Sequence, residues 1–191
     1  FSFEQVGTNC GLLGKNANIE VDGTAYWMSE NGFFAYDGQL KSLPCLVEDA
    51  VYDDLNSTAR DLVNAGLNNL FGEISWFYCT SASDVVNRVV TYNYLDSTIK
   101  RPIWTTGTLA RTAWVDSSVF AKPHATAYSE SDDASFDVTG NTDGSTIYYE
   151  HETGTDQITA GGTVTAVLGS ITSGDFDITQ KAARGGGQIV G

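Results

Sequence analysis

An Asn-Gly dipeptide between two aromatic runs is the feature that most constrains how this chain folds. The five aromatic side chains within residues 24–38 are Tyr26, Trp27, Phe33, Phe34 and Tyr36. Aromatic side chains favour the half-buried surface of a β-sheet. Asn31-Gly32 readily adopts positive φ at both central residues of a type I′ turn. The stretch therefore predicts a β-hairpin that turns at Asn31-Gly32, and Asp37-Gly38 predicts the next turn.

Two later stretches repeat this pattern. Residues 73–95 predict a second, longer hairpin, which a strand at residues 103–104 follows, and residues 145–152 predict a third unit. Trp27 and Trp76 are about 50 residues apart, a spacing within the range of β-propeller blades. We expect both tryptophans to be core residues at equivalent positions of successive sheets.

These repeats predict an all-β chain built from antiparallel sheets of the β-propeller blade type. A single β-sandwich with irregular strands is the alternative. The expected blades cover residues 1–45, 60–107 and 108–155. Residues 156–191 are expected to form an additional β segment at the start of a further domain.

Three shorter segments complete the expected secondary structure. Residues 47–55 predict a helix, because their apolar residues have helical spacing. Residues 62–63 predict a strand that opens the second blade, and residues 111–114 predict one that opens the third strand set.

Composition indicates a globular protein without a disulfide framework. Hydrophobic residues make up 41% of the 191 residues and charged residues 18%, which is not the composition of a disordered chain. The three cysteines Cys10, Cys45 and Cys79 are an odd, widely spaced set, so we expect free thiols and a reducing site of folding. No apolar run approaches the length of a membrane helix. The chain has no initiator Met, and we expect it to be a segment of a longer or a processed protein.

The charge argues against binding to nucleic acid. Ten basic and 24 acidic residues give a formal net charge of −14. Proteins that hold nucleic acid usually present a basic stripe, whereas the only adjacent basic pair here is Lys100-Arg101. We therefore expect no affinity for DNA phosphates.

The sequence offers no catalytic motif. His151 lacks the second His four residues later that a zinc protease helix requires, and His124 lies in a predicted loop. The pairs Asp53-Asp54 and Asp132-Asp133 leave glycosidase chemistry open, since two facing carboxylates suffice for it. We predict no catalytic and no cofactor-binding residues, hence no enzyme, and a structural role for His151.

Two acidic or polar runs are candidate calcium-binding loops. Residues 129–133 and 141–144 carry oxygen side chains at loop positions, but neither fills a complete ligand template. We interpret both as solvated turns and predict no metal-binding residues.

A succession of short motifs runs through the first three quarters of the chain. They are Tyr26-Trp27-Met28, residues 32–38, Leu43-Pro44-Cys45, residues 71–78, residues 89–94, residues 107–114 and residues 149–152. In order and spacing, over about 130 residues, this succession resembles the tail-tube nozzle, or tail stabilisation, proteins of short-tailed bacteriophages. The chain departs from that pattern at residues 97–101 and matches it only loosely after residue 160.

The resemblance implies a structural virion protein. Members of that family carry a β-propeller and form a closed homo-oligomeric ring, usually a hexamer, at the far end of the phage tail. They are assembled in the host cytoplasm, contact other tail proteins such as the adaptor, fibres or tail tip, and let DNA pass without binding it specifically. The resemblance implies no catalytic residue. The alternative function is a carbohydrate-binding or carbohydrate-cleaving propeller, in which exposed Trp and Tyr side chains stack on sugars.

Overall fold

A computed structural model of the chain describes residue 5 and residues 7–128, 146–153, 156–158 and 164–166. The chain forms two compact units, Phe1–Gly154 and Thr155–Gly191. The described part of the second unit is an antiparallel pair of strands, β12 (Asp156–Ile158) and β13 (Val164–Ala166). All other elements belong to the first unit.

Sheet 1 is a four-stranded antiparallel meander. Its strands are β1 (Asn18–Val21), β2 (Thr24–Ser29), β3 (Gly32–Tyr36) and β4 (Leu40–Leu43), and each pairs with the next along the chain. Asp22 and Gly23 join β1 to β2 with φ values of 51° and 80°. Positive φ at both central residues is the requirement of a type I′ turn, so the Asp-Gly dipeptide supplies that turn here.

The predicted type I′ turn at Asn31-Gly32 is wrong, although the predicted hairpin is present. Ser29 pairs with Gly32, so the loop consists of Glu30 and Asn31, and neither residue has a positive φ. The Tyr52 hydroxyl donates to the Ser29 carbonyl at 2.7 Å and accepts from the Gly32 N–H at 3.2 Å. This contact with a residue outside the hairpin ties down the last strand pair and keeps Gly32 in β3.

A short helical region connects sheet 1 to sheet 2. Helix α1 (Glu48–Asp54) lies within the predicted helix, and its buried residue is Val51. The strand expected at residues 62–63 is wrong: Arg60–Leu62 is a 3-10 turn in which the Val63 N–H donates to the Arg60 carbonyl at 3.1 Å. The strand begins only after this turn closes.

Sheet 2 repeats the meander of sheet 1. Its strands are β5 (Asn64–Asn68), β6 (Glu73–Tyr78), β7 (Arg88–Asn93) and β8 (Trp104–Gly107). Sheet 3 contains β9 (Ala113–Val115), β10 (His124–Tyr128) and β11 (Thr146–Glu150), with β10 in the middle. All pairings within the three sheets are antiparallel.

Sheets 1 and 2 pack face to face. The core between them includes five side chains with no exposed surface: Met28, Phe33, Ile74, Trp76 and Val90. The rings of Trp104 and Tyr92 extend this contact, with centroids 4.7 Å apart. Burial of this much aromatic surface is the main stabilising term for the pair of sheets.

Trp27 departs from the prediction, whereas Trp76 is fully buried as expected. Each tryptophan is the fourth residue of the second strand of its sheet. Trp76 faces sheet 1, but Trp27 lies on the face of sheet 1 that turns away from sheet 2 and is partly exposed. Its ring stacks on Phe34 with centroids 5.8 Å apart, and its indole nitrogen donates to the Cys10 carbonyl at 2.7 Å. No sheet in the described residues covers that face, which is why Trp27 is not a core residue.

Sheet 3 covers the opposite face of sheet 2. The Trp114 ring stacks on Phe77 with centroids 5.7 Å apart, and its indole nitrogen donates to the Leu67 carbonyl at 2.7 Å. A Cβ at Gly66 would lie 2.6 Å from Cγ of Trp114, so the ring approaches β5 this closely only because residue 66 is glycine. The all-β prediction is confirmed, and the antiparallel sheets stack as separate layers, although the described residues contain no closed propeller ring.

Candidate functional site

A buried polar cluster lies where sheet 3 packs on sheet 2, and Arg111 is at its centre. Only 8% of this residue is exposed. Its guanidinium lies 3.9 Å from the centroid of the Tyr149 ring, its Nε donates to Nε2 of His151 at 2.9 Å, and its Nη1 donates to the Ala110 carbonyl at 2.6 Å. Burial lowers the pKa of Arg111. The charge is therefore held by an aromatic face and neutral acceptors, an arrangement that packs sheets together.

His151 is part of this cluster, where its ring contacts Arg111 and Trp114. Its ring lies 4.4 Å from that of Trp114, and its backbone N–H donates to the Pro123 carbonyl at 2.8 Å. Because Nε2 accepts from Arg111, the neutral ring carries its proton on Nδ1. Burial, followed by the neighbouring guanidinium, lowers the pKa of His151 to about 4. At neutral pH the ring is uncharged and accepts the hydrogen bond from Arg111.

The strand in the third predicted unit, residues 145–152, ends before Glu152. Strand β11 ends at Glu150, and Glu152 has a φ of 57°, so the strand periodicity does not reach it. Glu152 instead turns toward sheet 2, where its Oε1 accepts from Nδ2 of Asn68 at 2.9 Å.

Asn68 and Glu73 are directly opposite one another in β5 and β6. Burial raises the pKa of Glu73, and the negative charge of Glu152 raises it further. Asn68 is buried, and its Oδ1 has no hydrogen-bond partner. An orphaned buried carbonyl requires an explanation, since most such groups are satisfied.

The opposite face of sheet 3 carries an aromatic patch, defined here as Phe120, His124 and Tyr148. The rings of His124 and Tyr148 stack with centroids 5.3 Å apart, and the Tyr148 hydroxyl is hydrogen-bonded to Nδ1 of His124. Phe120 meets His124 edge-on at 4.5 Å, and 64% of Tyr148 is exposed. A shallow concavity of about 120 Å³ lies beside the stacked pair. Neither the cluster around Arg111 nor this patch could be predicted from local sequence patterns.

Four of the eight described basic side chains are paired with carboxylates or buried. Lys41 is paired with Asp37, Arg60 with Glu30, and Arg88 with Asp54, the last at 3.6 Å. Arg111 is enclosed between sheets and is not presented to a ligand at the surface.

The carboxylates considered as glycosidase candidates form no facing pair that the structure describes. Asp53-Asp54 ends helix α1, and Asp54 pairs with Arg88. Asp132-Asp133, together with the two runs considered for calcium, residues 129–133 and 141–144, lies outside the described residues.

The cysteines are free thiols, as expected. Burial raises the pKa of Cys45 to about 11 and also raises that of Cys79, so both stay protonated at neutral pH. A protonated thiol is neither a nucleophile nor a metal ligand. Within the described ranges, no group of three or more His, Cys, Asp or Glu side chains is placed to hold a metal ion. No helix in the same ranges has the length and apolar character to cross a membrane.

Comparison with known proteins adds no assignment: neither a protein-family model nor a curated protein matches this chain.

Proposed function

We propose that this chain is part of a structural virion protein of a short-tailed phage, a subunit of the ring-shaped nozzle through which DNA leaves the tail. The main support is that both faces of sheet 2 are covered by the neighbouring sheets along the chain. Sheet 1 contacts Trp76 on one face, and Trp114 of sheet 3 packs on the other. Stacked antiparallel sheets of about four strands are the construction of propeller blades. This construction agrees with the motif succession that resembles nozzle proteins.

The charge distribution supports a nozzle through which DNA passes without binding. Affinity for a duplex comes mainly from Lys and Arg that neutralise phosphates and release counterions. This chain has a net charge of −14, and Lys41, Arg60 and Arg88 are already paired with carboxylates. A wall of this kind repels the duplex instead of binding it.

The oligomeric state of the full-length protein tests the proposal. Mass photometry and negative-stain electron microscopy are expected to give a closed ring with an axial opening, since identical subunits with a heterologous interface close into rings. The resemblance predicts six subunits. A monomer at all concentrations would contradict the nozzle role.

A DNA titration tests the passive-conduit part separately. Fluorescence anisotropy with labelled duplex DNA at about 50 mM salt, where phosphate contacts are strongest, is expected to show no binding. Tight binding that weakens with salt would mean that basic residues gather on a surface in the assembled protein, and the passive-conduit role would then be dropped.

The second candidate is a carbohydrate-binding propeller, and the aromatic patch is the observation that favours it. The exposed Tyr148 ring, stacked on His124, has the form of a platform for a sugar ring. A glycan array with the purified protein and its Tyr148→Ala variant separates the two candidates. Binding that disappears in the variant would favour the carbohydrate function.

A further inference from the structure

Three oxygen-bearing side chains meet at the edge of the contact between sheets 2 and 3. Asn68 of β5 is directly opposite Glu73 of β6, and side chains opposite one another on a sheet have Cβ atoms about 5 Å apart. Glu152, which follows β11, reaches the same place because Nδ2 of Asn68 donates to its Oε1 at 2.9 Å. The three residues come from both sheets.

Asn68 has an unused acceptor at this place. The residue is only 7% exposed, and its Oδ1 has no partner. The amide is oriented by its bond to Glu152, because only its nitrogen can donate to a carboxylate. Since Oδ1 is attached to the same carbon as that nitrogen, the orphaned oxygen lies within one amide width of the contact with Glu152.

The two carboxylates are an unfavourable pair as they stand. Glu73 is partly buried, and the Glu152 carboxylate is near enough to act on it electrostatically. Two carboxylates at short range repel each other unless a cation lies between them. The described basic residues that form ion pairs, Lys41, Arg60 and Arg88, have partners elsewhere.

We propose that Asn68, Glu73 and Glu152 bind one divalent cation of the Ca²⁺ type, which joins sheet 3 to sheet 2. The cation neutralises both carboxylates and takes the orphaned amide oxygen as a ligand, so one ion resolves both unfavourable features. Glu152 is exposed, which leaves a path for the ion and room for water ligands.

The ligand set points to calcium instead of a transition metal. All three side chains offer hard oxygen donors, and Ca²⁺ accepts six to eight such ligands in flexible geometry, whereas Mg²⁺ demands a near-ideal octahedron. Two carboxylates and one amide provide modest charge. The expected dissociation constant is therefore about 10⁻⁴ to 10⁻³ M, the range of weak extracellular modules.

Calcium titration of EDTA-treated protein tests the site. Isothermal calorimetry with CaCl₂ is expected to show saturable binding, and about 10 mM Ca²⁺ is expected to raise Tm by roughly 3–10 °C. Glu73→Gln and Glu152→Gln each remove one charged ligand while keeping the side-chain shape. Each is expected to lower the affinity at least about tenfold, which one lost charge-assisted contact of roughly 1.4 kcal/mol would produce.

Glu150→Gln is the matched control. It removes one charge two residues from Glu152, but Glu150 is opposite His124 and belongs to the other face of sheet 3. Calcium binding and the rise in Tm are expected to remain in this variant.

Terbium luminescence tests independently where the cation binds. Trp114 donates to the carbonyl of Leu67, next to Asn68, so it is close enough to sensitise Tb³⁺ bound at the site. A Tb³⁺ signal under tryptophan excitation is expected in the wild type and in Glu150→Gln. The signal is expected to be lost in Glu152→Gln. Absence of saturable Ca²⁺ binding, or binding that both Glu→Gln variants retain unchanged, would overturn the proposal.

Discussion

Trp76 of sheet 2 packs on Phe33 of sheet 1 with ring centroids 5.0 Å apart, and its indole nitrogen donates to the Ala17 carbonyl at 3.0 Å. One side chain thus provides both the apolar contact between the sheets and the hydrogen bond to the segment that precedes β1. Neither the ring nor the indole nitrogen reaches solvent, since Trp76 has no exposed surface. Removing it affects packing and hydrogen bonding together.

Trp76→Ala is expected to lower the free energy of unfolding by about 3–5 kcal/mol, because it leaves a large cavity and removes one of the two hydrogen bonds that the Ala17 carbonyl accepts. Trp27→Ala is expected to cost clearly less, because Trp27 is partly exposed although it holds the same position in its own sheet. Urea unfolding followed by circular dichroism measures both. Equal losses would mean that the outer face of sheet 1 is buried as deeply as the inner one.

Gly66→Ala is expected to destabilise the contact between sheets 2 and 3. The new Cβ would lie within 3 Å of Cβ, Cγ and Cδ1 of Trp114, the rigid end of that side chain, so the ring or the strand must move. Overpacking of this kind costs about 1–3 kcal/mol. Gly11→Ala is the matched control, because a Cβ there meets nothing within 4 Å. Thermal unfolding of the two variants is expected to lower Tm only for Gly66→Ala.

Gly23→Ala tests the turn that joins β1 to β2. Gly23 has a φ of 80°, and a Cβ there meets no atom within 4 Å, so any loss of stability comes from the backbone and not from a clash. A left-handed conformation costs a non-glycine residue about 1–2 kcal/mol. Urea unfolding is expected to show a loss of that size, and a neutral substitution would contradict the type I′ geometry.

The stability of the chain is expected to fall as the pH is lowered from about 6.5 to about 4. In the folded chain burial and Arg111 lower the pKa of His151 to about 4 from the ordinary 6.5, so within this window the unfolded chain binds a proton that the folded chain does not. Below about 4 this residue contributes no further loss.

His151→Gln separates this contribution from the other acid-sensitive groups. Glutamine keeps an acceptor for the Arg111 guanidinium but does not titrate. Unfolding free energies measured across the same pH window are expected to show a shallower slope in the variant. An unchanged slope would remove His151 as the cause.

Local sequence patterns determined several of the described strands, and helix α1, to within a few residues. Aromatic and branched residues alternating between turn dipeptides predicted β3, β6, β7 and β11, because a strand has a period of two and side chains of this shape suit a pleated surface. Helical spacing predicted α1 in the same way. These are short-range properties, and a single sequence contains them in full.

Only the tertiary structure decided which of two equivalent residues became core and where one turn falls. Trp27 and Trp76 have the same local position, but the described chain places a neighbouring sheet against the face of Trp76 alone. The strand pair that closes the turn before Gly32 is hydrogen-bonded to the hydroxyl of Tyr52, 20 residues away. Asn68 meets Glu152 across 84 residues, a contact that no period in the sequence encodes. Burial, turn position and the meeting of oxygen ligands depend on which surfaces come together, and that is a property of the packed chain and not of any segment.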